Sequence, residues 1–246
     1  MDLGISGRVA LVTGSSAGLG FASAAALAAD GAKVVITGRR GDRLADAAGR
    51  LRGEVPGASV LAVAGDANDA DEPTRLVAAA LAAFGAAPTI LVANSGGPPP
   101  GGALDVTDEQ IRSAVEGNLL STVRLVRAVL PGMRNQGWGR ICAITSFSVK
   151  QPVRGLALSN TARTGLLAWA KTAALDLAGT GITLNLACPG HHDTDRMREL
   201  GVDPGTTRMG DAGDFGKIVA FLCSAPASFL TGTALSVDGG SVVGLL

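Results

Sequence analysis

Short runs of β-branched and aliphatic residues alternate along the chain with longer stretches whose apolar positions fall three and four apart. That alternation predicts strands separated by helices. The clearest unit covers residues 8–30, RVALVTGSSAGLGFASAAALAAD, where a strand-like run enters a turn with glycines at 14, 18 and 20 and an alanine-rich helical segment follows directly. Residues 33–37 (KVVIT) predict a second strand, and residues 42–52 place Leu44, Ala47, Ala48 and Leu51 on one side of a helix. Residues 59–64 (SVLAVA) predict a third strand, residues 71–84 a helix with Pro73 in its first turn, and residues 89–93 (TILVA) a fourth strand. Strands joined through helices imply a parallel sheet with helices on both faces.

The second half continues the pattern. Residues 107–133 read as one long helix whose start resembles a capping box, with Thr107 three residues before Gln110. Further strands are predicted at 140–145 (RICAIT), 182–187 and 234–237, and helices at 156–178 and 212–224. No linker, tandem repeat or low-complexity tail interrupts the series, so residues 1–246 read as a single α/β domain.

Composition narrows the possibilities. A domain of 246 residues buries roughly 70–75% of the surface of its unfolded chain, so it needs neither metal nor disulfide for stability. Lys plus Arg equals Asp plus Glu at 21 each, which leaves no net field to steer the protein toward nucleic acid or an anionic membrane. The three cysteines, Cys142, Cys188 and Cys223, are widely spaced in apolar segments, a pattern of buried thiols rather than of a disulfide framework or a metal site. The first residues lack a basic region followed by an apolar run, and no stretch of eighteen uninterrupted apolar residues occurs. The expectation is a soluble, cytoplasmic protein.

The glycine turn carries the first chemistry. Amides at a helix start are unpaired and sit at the positive end of the dipole, and glycines let a phosphate approach the backbone closely. A pyrophosphate-bearing cofactor is one reading. A tight strand-to-helix turn that needs positive φ is the other.

The motifs together resemble the short-chain dehydrogenase/reductase family. Those that carry the likeness are TGSSAGLG at 13–20, Asp66 after the third strand, NSGG at 94–97, Asn118 in the long helix, Ser146 after the fifth strand, Pro189-Gly190 after the sixth, and LTGTALSVDGG at 230–240. The resemblance covers essentially the whole chain and is greatest to the branch of β-ketoacyl carrier-protein (3-oxoacyl) reductases and related sugar or steroid dehydrogenases. It implies a Rossmann-type doubly wound parallel sheet of about seven strands and a nicotinamide cofactor. Gly14, Ser15, Ser16, Gly18, Leu19 and Gly20 would then cradle the phosphates. Asp66 and Ala67 would lie beside the adenine, Asn94, Ser95 and Gly96 along the ribose, and Pro189, Gly190 and Thr194 near the nicotinamide.

In a dinucleotide fold an acid at the end of the second strand accepts from the ribose 2′-hydroxyl, whereas an arginine favours a 2′-phosphate. This strand ends in Gly38-Arg39-Arg40 with no acid before Asp42, which favours NADP(H) held by Arg39 and Arg40. Ordinary solvated arginines opening a helix are the alternative.

The family's catalytic tyrosine and lysine are where the chain departs. At the place of the YxxxK element stands Ser159-Asn-Thr-Ala-Arg163, and no register shift restores it because the chain contains no tyrosine. Ser146 fits the serine that binds the substrate oxygen, and Asn118 the asparagine that supports a water relay. Ser159 without an adjacent base exchanges protons poorly near neutrality, while Arg163 can hold ribose hydroxyls but cannot shuttle a proton. Candidate replacement acids are His191, His192 and Lys150, and Ser148 is a second candidate for binding the oxygen. Two functions follow: an NADP(H)-dependent oxidoreductase acting on a ketone or secondary alcohol, or an inactive dinucleotide-binding homologue serving as sensor or scaffold. Residues 95–103 and 193–210 would wall the substrate pocket, with 194–210 forming its lid. The resemblance also implies a homodimer or homotetramer built on the two long helices and the C-terminal segment, with the apolar tail 242–246 at an interface or folded onto the last helix.

Overall fold

All seven apolar runs form strands: β1 (Val9–Val12), β2 (Lys33–Gly38), β3 (Val60–Ala64), β4 (Ile90–Ala93), β5 (Gly139–Ile144), β6 (Ile182–Pro189) and β7 (Ala234–Val237). In the computed structural model, which describes residues 1–244, they pair in parallel in the order β3-β2-β1-β4-β5-β6-β7. In register, Leu11 of β1 lies between Val35 of β2 and Leu91 of β4. The fold is the expected doubly wound sheet.

Side-chain alternation along each strand feeds two cores. Ala10, Val12, Val34, Ile36 and Val92 face one side, where α1 (Gly18–Ala29), α2 (Gly41–Glu54) and α8 (Ala212–Leu222) cover them with Phe21, Leu27, Leu44, Phe215 and Val219. Val9, Leu11, Val35, Leu91 and Ala93 face the other, beneath α3 (Glu72–Phe84), α5 (Ser121–Gln136) and α6 (Ala157–Asp176), which contribute Leu76, Leu125, Val129 and Leu166. Over the central strands both faces are buried, which is why those strands read as continuous apolar runs, while the edge strands β3 and β7 are partly exposed. Cys142, Cys188 and Cys223 are all buried as free thiols. Among the described residues no helix is long and apolar enough to cross a membrane.

The structure corrects two helix expectations. The helix expected over 107–133 is three pieces: α4 (Asp108–Val115), a π-helical turn at Glu116–Leu120, and α5, which runs on to Gln136. The Thr107–Gln110 capping box does form, with the Thr107 hydroxyl accepting from the Gln110 amide and the Gln110 side chain accepting from the Thr107 amide. Periodicity alone does not register a single wide turn, because the apolar spacing resumes after it. In the polar stretch after β6, a short helix α7 (Asp195–Glu199) forms that carries no apolar stripe to announce it. Of the C-terminal tail, Leu245 and Leu246 lie outside the described residues, while Val243 is exposed and its amide donates to Gln151 Oε1 at 3.1 Å.

Gly216 shows how closely α8 lies on α1, since a Cβ there would strike the backbone carbonyl of Ala22. Gly216→Ala should therefore destabilise the protein by about 1–3 kcal/mol. Gly49 in α2 faces open space, and Gly49→Ala should instead stabilise by about 0.5–1 kcal/mol. Urea denaturation of the two variants measures both signs.

Candidate active site

Because every strand is parallel, all C-terminal strand ends meet at one edge of the sheet. Chain order reverses between β1 and β4, and a crevice opens where the two connections diverge. The glycine turn sits at its floor. Gly14 (φ 55°) and Gly18 (φ 57°) occupy the left-handed region, and a Cβ on Gly20 would collide with the Gly14 carbonyl and approach Asn94 Nδ2 to 2.7 Å.

A set of hydrogen bonds fixes this turn to its neighbours. Thr13 Oγ1 donates to the Asn94 carbonyl at 2.8 Å and accepts from the Asn94 amide at 2.9 Å. Asn94 Nδ2 donates to the Gly14 carbonyl at 3.0 Å. Ser15 Oγ donates to the Val12 carbonyl at 2.7 Å and accepts from the Thr37 amide at 3.0 Å, tying β1 to β2. The N-cap of α1 is Ala17, which provides no side-chain cap. The first amides of α1 are thus left for an external acceptor, and an anion suits them.

The crevice has two lobes that share Asn94, Gly97 and Pro98 along their border. One, of about 540 Å³, is bounded by Gly14 and Ser16 of the turn, Arg39, Asp66 and Ala67, and by Ser95, Gly96 and Asn118. The other, of about 670 Å³, is bounded by Gly18, Leu19, Ser146, Ser159 and Arg163, and across from them by Pro189, Gly190, His191, His192 and Thr194. Five of the residues singled out in the sequence do not line either lobe. Ser15 is buried in the strap just described, Gly20 is packed on Gly14, and Arg40 turns away to pair with Asp42 at 3.2 Å. Lys150 lies outside both lobes, and so does Ser148, whose buried hydroxyl has no partner among the described residues.

Within the larger lobe, Ser146 Oγ accepts from the Ser148 amide at 3.1 Å and so caps the single turn at Phe147–Val149. Ser159 lies near the start of α6 and is buried. Arg163, one helical turn later, is only 7% exposed, yet no carboxylate pairs with it among the described residues. Its guanidinium donates instead to the carbonyls of Ile144 at 3.1 Å, Thr145 at 3.0 Å and Ser95 at 3.5 Å, clasping the loops after β4 and β5. Burial, reinforced by the nearby charge of Arg196, lowers its pKa to about 10, so the group remains a cation at neutrality. Asn118 sits in the π turn, accepting from Ser95 Oγ at 3.4 Å and donating to the Ala114 carbonyl at 3.3 Å.

The two histidines part company. His192 is 5% exposed, with Nδ1 3.3 Å from the Gly190 carbonyl and its ring edge-on to Phe215 at 5.0 Å, and burial pushes its pKa down. His191 is half-buried at the cavity wall, its ring 5.6 Å from that of Phe147.

Several wall residues escaped the sequence reading. Glu72 is buried at the edge of the smaller lobe, bound in a fork by Arg75 at 2.7 Å, and fills the space that a side chain at position 65 would need. Arg196 of α7 reaches across the larger lobe to the Pro98 carbonyl at 3.2 Å. The single apparent signal for Arg196 was its place in the stretch expected to wall the substrate pocket.

Residues 8–204 match the short chain dehydrogenase family. The chain belongs to that family. This short-chain dehydrogenase is 35% identical over 248 residues to human dehydrogenase/reductase SDR family member 4, across 96% of this chain and 88% of that one. It superposes with a TM-score of 0.91 on L-sorbose reductase from Gluconobacter frateurii complexed with NADPH and L-sorbose, at 32% identity over 100% of both chains. A short chain oxidoreductase from Pseudomonas aeruginosa PAO1 containing an atypical catalytic center superposes with a TM-score of 0.90 at 26% identity, over 98% of this chain and 99% of that one.

In this short-chain dehydrogenase, Thr13→Val would remove the hydroxyl between β1 and β4 while keeping its volume. The Asn94 amide and carbonyl both lose a partner, and stability should fall by about 1–3 kcal/mol in urea denaturation. The pH dependence of Arg163 has a definite sign. Its pKa is lower in the folded chain than in the unfolded one, so its contribution is least favourable below about pH 10 and improves as pH rises through that value. Relative to Arg163→Met, the wild type should gain stability above that pH, measured by denaturation at matched ionic strength.

Proposed function

We propose that the protein is an NADP(H)-dependent oxidoreductase interconverting a ketone and a secondary alcohol by a proton route that lacks the family's tyrosine. The observation that carries this reading is the shared border of the two lobes. A ligand anchored at the glycine turn extends past Asn94 into a cavity whose wall holds Ser146, Ser159 and Arg163. The likeness to L-sorbose reductase, solved with NADPH and L-sorbose, supports both the cofactor and a ketone substrate. The 3-oxoacyl compounds suggested by sequence resemblance belong to the same chemical class.

The residues present fit a phosphorylated dinucleotide. The uncapped amides of α1 and the positive-φ glycines form a cradle for the pyrophosphate, and Arg39 at the wall of the smaller lobe suits a 2′-phosphate. Asp66 and Ala67 bound the adenine end, and Pro189, Gly190 and Thr194 the nicotinamide end. When bound, the cofactor supplies or takes the hydride. Ser146 and Ser159 offer hydroxyls to the substrate oxygen, and the fixed charge of Arg163 stabilises negative charge developing there. In this assignment Ser159 and Arg163 stand in the places of the family's tyrosine and lysine. Asn118 supports the water that links the site to solvent.

The alternative is a dinucleotide-binding protein without turnover. What favours it is the way Arg163 spends its donors on backbone carbonyls, which makes it a clasp for the loops rather than a reacting group. We also place the protein in the cytoplasm as a homodimer or homotetramer, and light scattering tests the assembly.

Fluorescence titration with NADPH and NADH, followed by a scan of ketones and secondary alcohols, separates the two functions. Turnover of any of these with NADP(H) establishes the oxidoreductase. Tight NADPH binding without turnover, unchanged in Ser159→Tyr/Arg163→Lys, establishes the inactive homologue. Arg39→Glu should weaken NADPH binding by about tenfold or more, since a lost charge-assisted bond costs about 1.5–3 kcal/mol, and leave NADH binding nearly unchanged.

A further inference from the structure

The larger lobe contains few groups able to release a proton near neutrality. Arg154, Arg163 and Arg196 offer guanidinium groups, which donate hydrogen bonds but do not exchange protons in catalysis. The hydroxyls of Ser146 and Ser159 hydrogen-bond to no imidazole or carboxylate among the described residues, so neither is activated. Asp195 and Glu199 are engaged in ion pairs with Arg198 at 2.7 Å and Arg196 at 3.5 Å. His192 is committed to packing against Phe215, and a Cβ on Gly210 would come within 2.8 Å of its Nε2.

One group remains. His191 borders the same lobe as Ser146 and Ser159, and its ring rests edge-on against Phe147, the neighbour of Ser146. Its backbone is held firmly as well. The Gly210 amide donates to the His191 carbonyl at 2.8 Å, and the preceding Gly190 amide donates to Val237 at 3.0 Å. Gly190 admits no side chain, because a Cβ would lie 2.7 Å from the Asp238 Cα. A histidine presented to a cavity from a fixed backbone is suited to acid-base work.

We propose that His191 is the proton-exchanging catalytic residue of this site. The inference rests on the oxidoreductase reading above. In the reducing direction the substrate carbon receives its hydride from the reduced nicotinamide, and the carbonyl π pair moves to oxygen. That oxygen takes the proton of the His191 imidazolium, forming the O–H bond as the ring N–H bond breaks with its electrons left on nitrogen. A solvent water then returns a proton to the ring. In the oxidising direction neutral His191 accepts the proton from the alcohol. The charged groups sharing the cavity are Arg154 ahead of α6, Arg163 on α6, and Asp195, Arg196 and Glu199 on α7, and a further titratable group is the adjacent His192.

The test compares wild type, His191→Asn and Lys150→Gln for NADPH affinity, for kcat of ketone reduction against pH, and for histidine ring resonances by NMR. The chain has two histidines, so His191→Asn assigns the signals directly. The expected result for His191→Asn is a loss of about 10²-fold or more in kcat, with NADPH affinity within about twofold of wild type. Wild-type reduction should decline as pH rises, and that dependence should disappear in the variant. The His191 resonance should move when NADP⁺ and the alcohol are added together, and Lys150→Gln should behave as wild type. Unchanged kcat and pH profile in His191→Asn would overturn this proposal and leave the oxidoreductase reading standing. A wild type that binds NADPH but turns over no ketone or alcohol would overturn both.

Discussion

The parallel sheet, covered by helices on both faces, is the constraint from which the site follows. Each parallel crossover needs a helix on one face or the other, and here the two sides carry separate apolar cores. Parallel pairing also gathers every strand's C-terminal end at one edge, so the loops that carry polar residues meet there without a design of their own. The Thr13–Asn94 bonds convert that gathering into a fixed geometry, since they join the two strands between which the crevice opens.

The same economy governs Arg163. A guanidinium buried without a carboxylate is expensive unless its donors are used, and carbonyls of Ile144, Thr145 and Ser95 use them. The cation joins the ends of β4 and β5, adding to the Gly101 amide's bond to the Gly155 carbonyl at 2.7 Å farther along the same two loops. It also leaves a positive charge at the cavity wall over the whole neutral range. Structure and electrostatics therefore depend on one side chain.

All seven strands were legible in the sequence because each is a short apolar run bounded by turn residues. The glycine turn was equally legible, its left-handed φ values at Gly14 and Gly18 being what such spacing implies. What the sequence could not supply was direction. Arg39 and Arg40 are adjacent and chemically alike, yet a neighbouring carboxylate draws only Arg40 away from the crevice. Ser15 sits in the middle of the glycine turn but faces inward, because the Val12 carbonyl and the Thr37 amide both lie within its reach. His191 and His192 are likewise consecutive, yet one ring packs on Phe147 and the other on Phe215. The π turn was illegible for a different reason: it alters the winding of a helix without altering its composition.

That turn has a mechanical consequence. A π turn holds one more residue than the α-helix it interrupts, so everything beyond it is rotated by roughly 100° relative to an uninterrupted helix. The stripe of Leu125, Val126, Val129 and Met133 that anchors α5 to the sheet is therefore out of phase with the Ala114 side of α4. Asn118 occupies the point where the phase slips, with its side chain bonded back to the Ala114 carbonyl and its position on the cavity wall set by the offset. The extra residue works as a wedge in the helix's thread. It lets one continuous run of chain present two different faces inward, one gripping the sheet and the other turned toward the crevice.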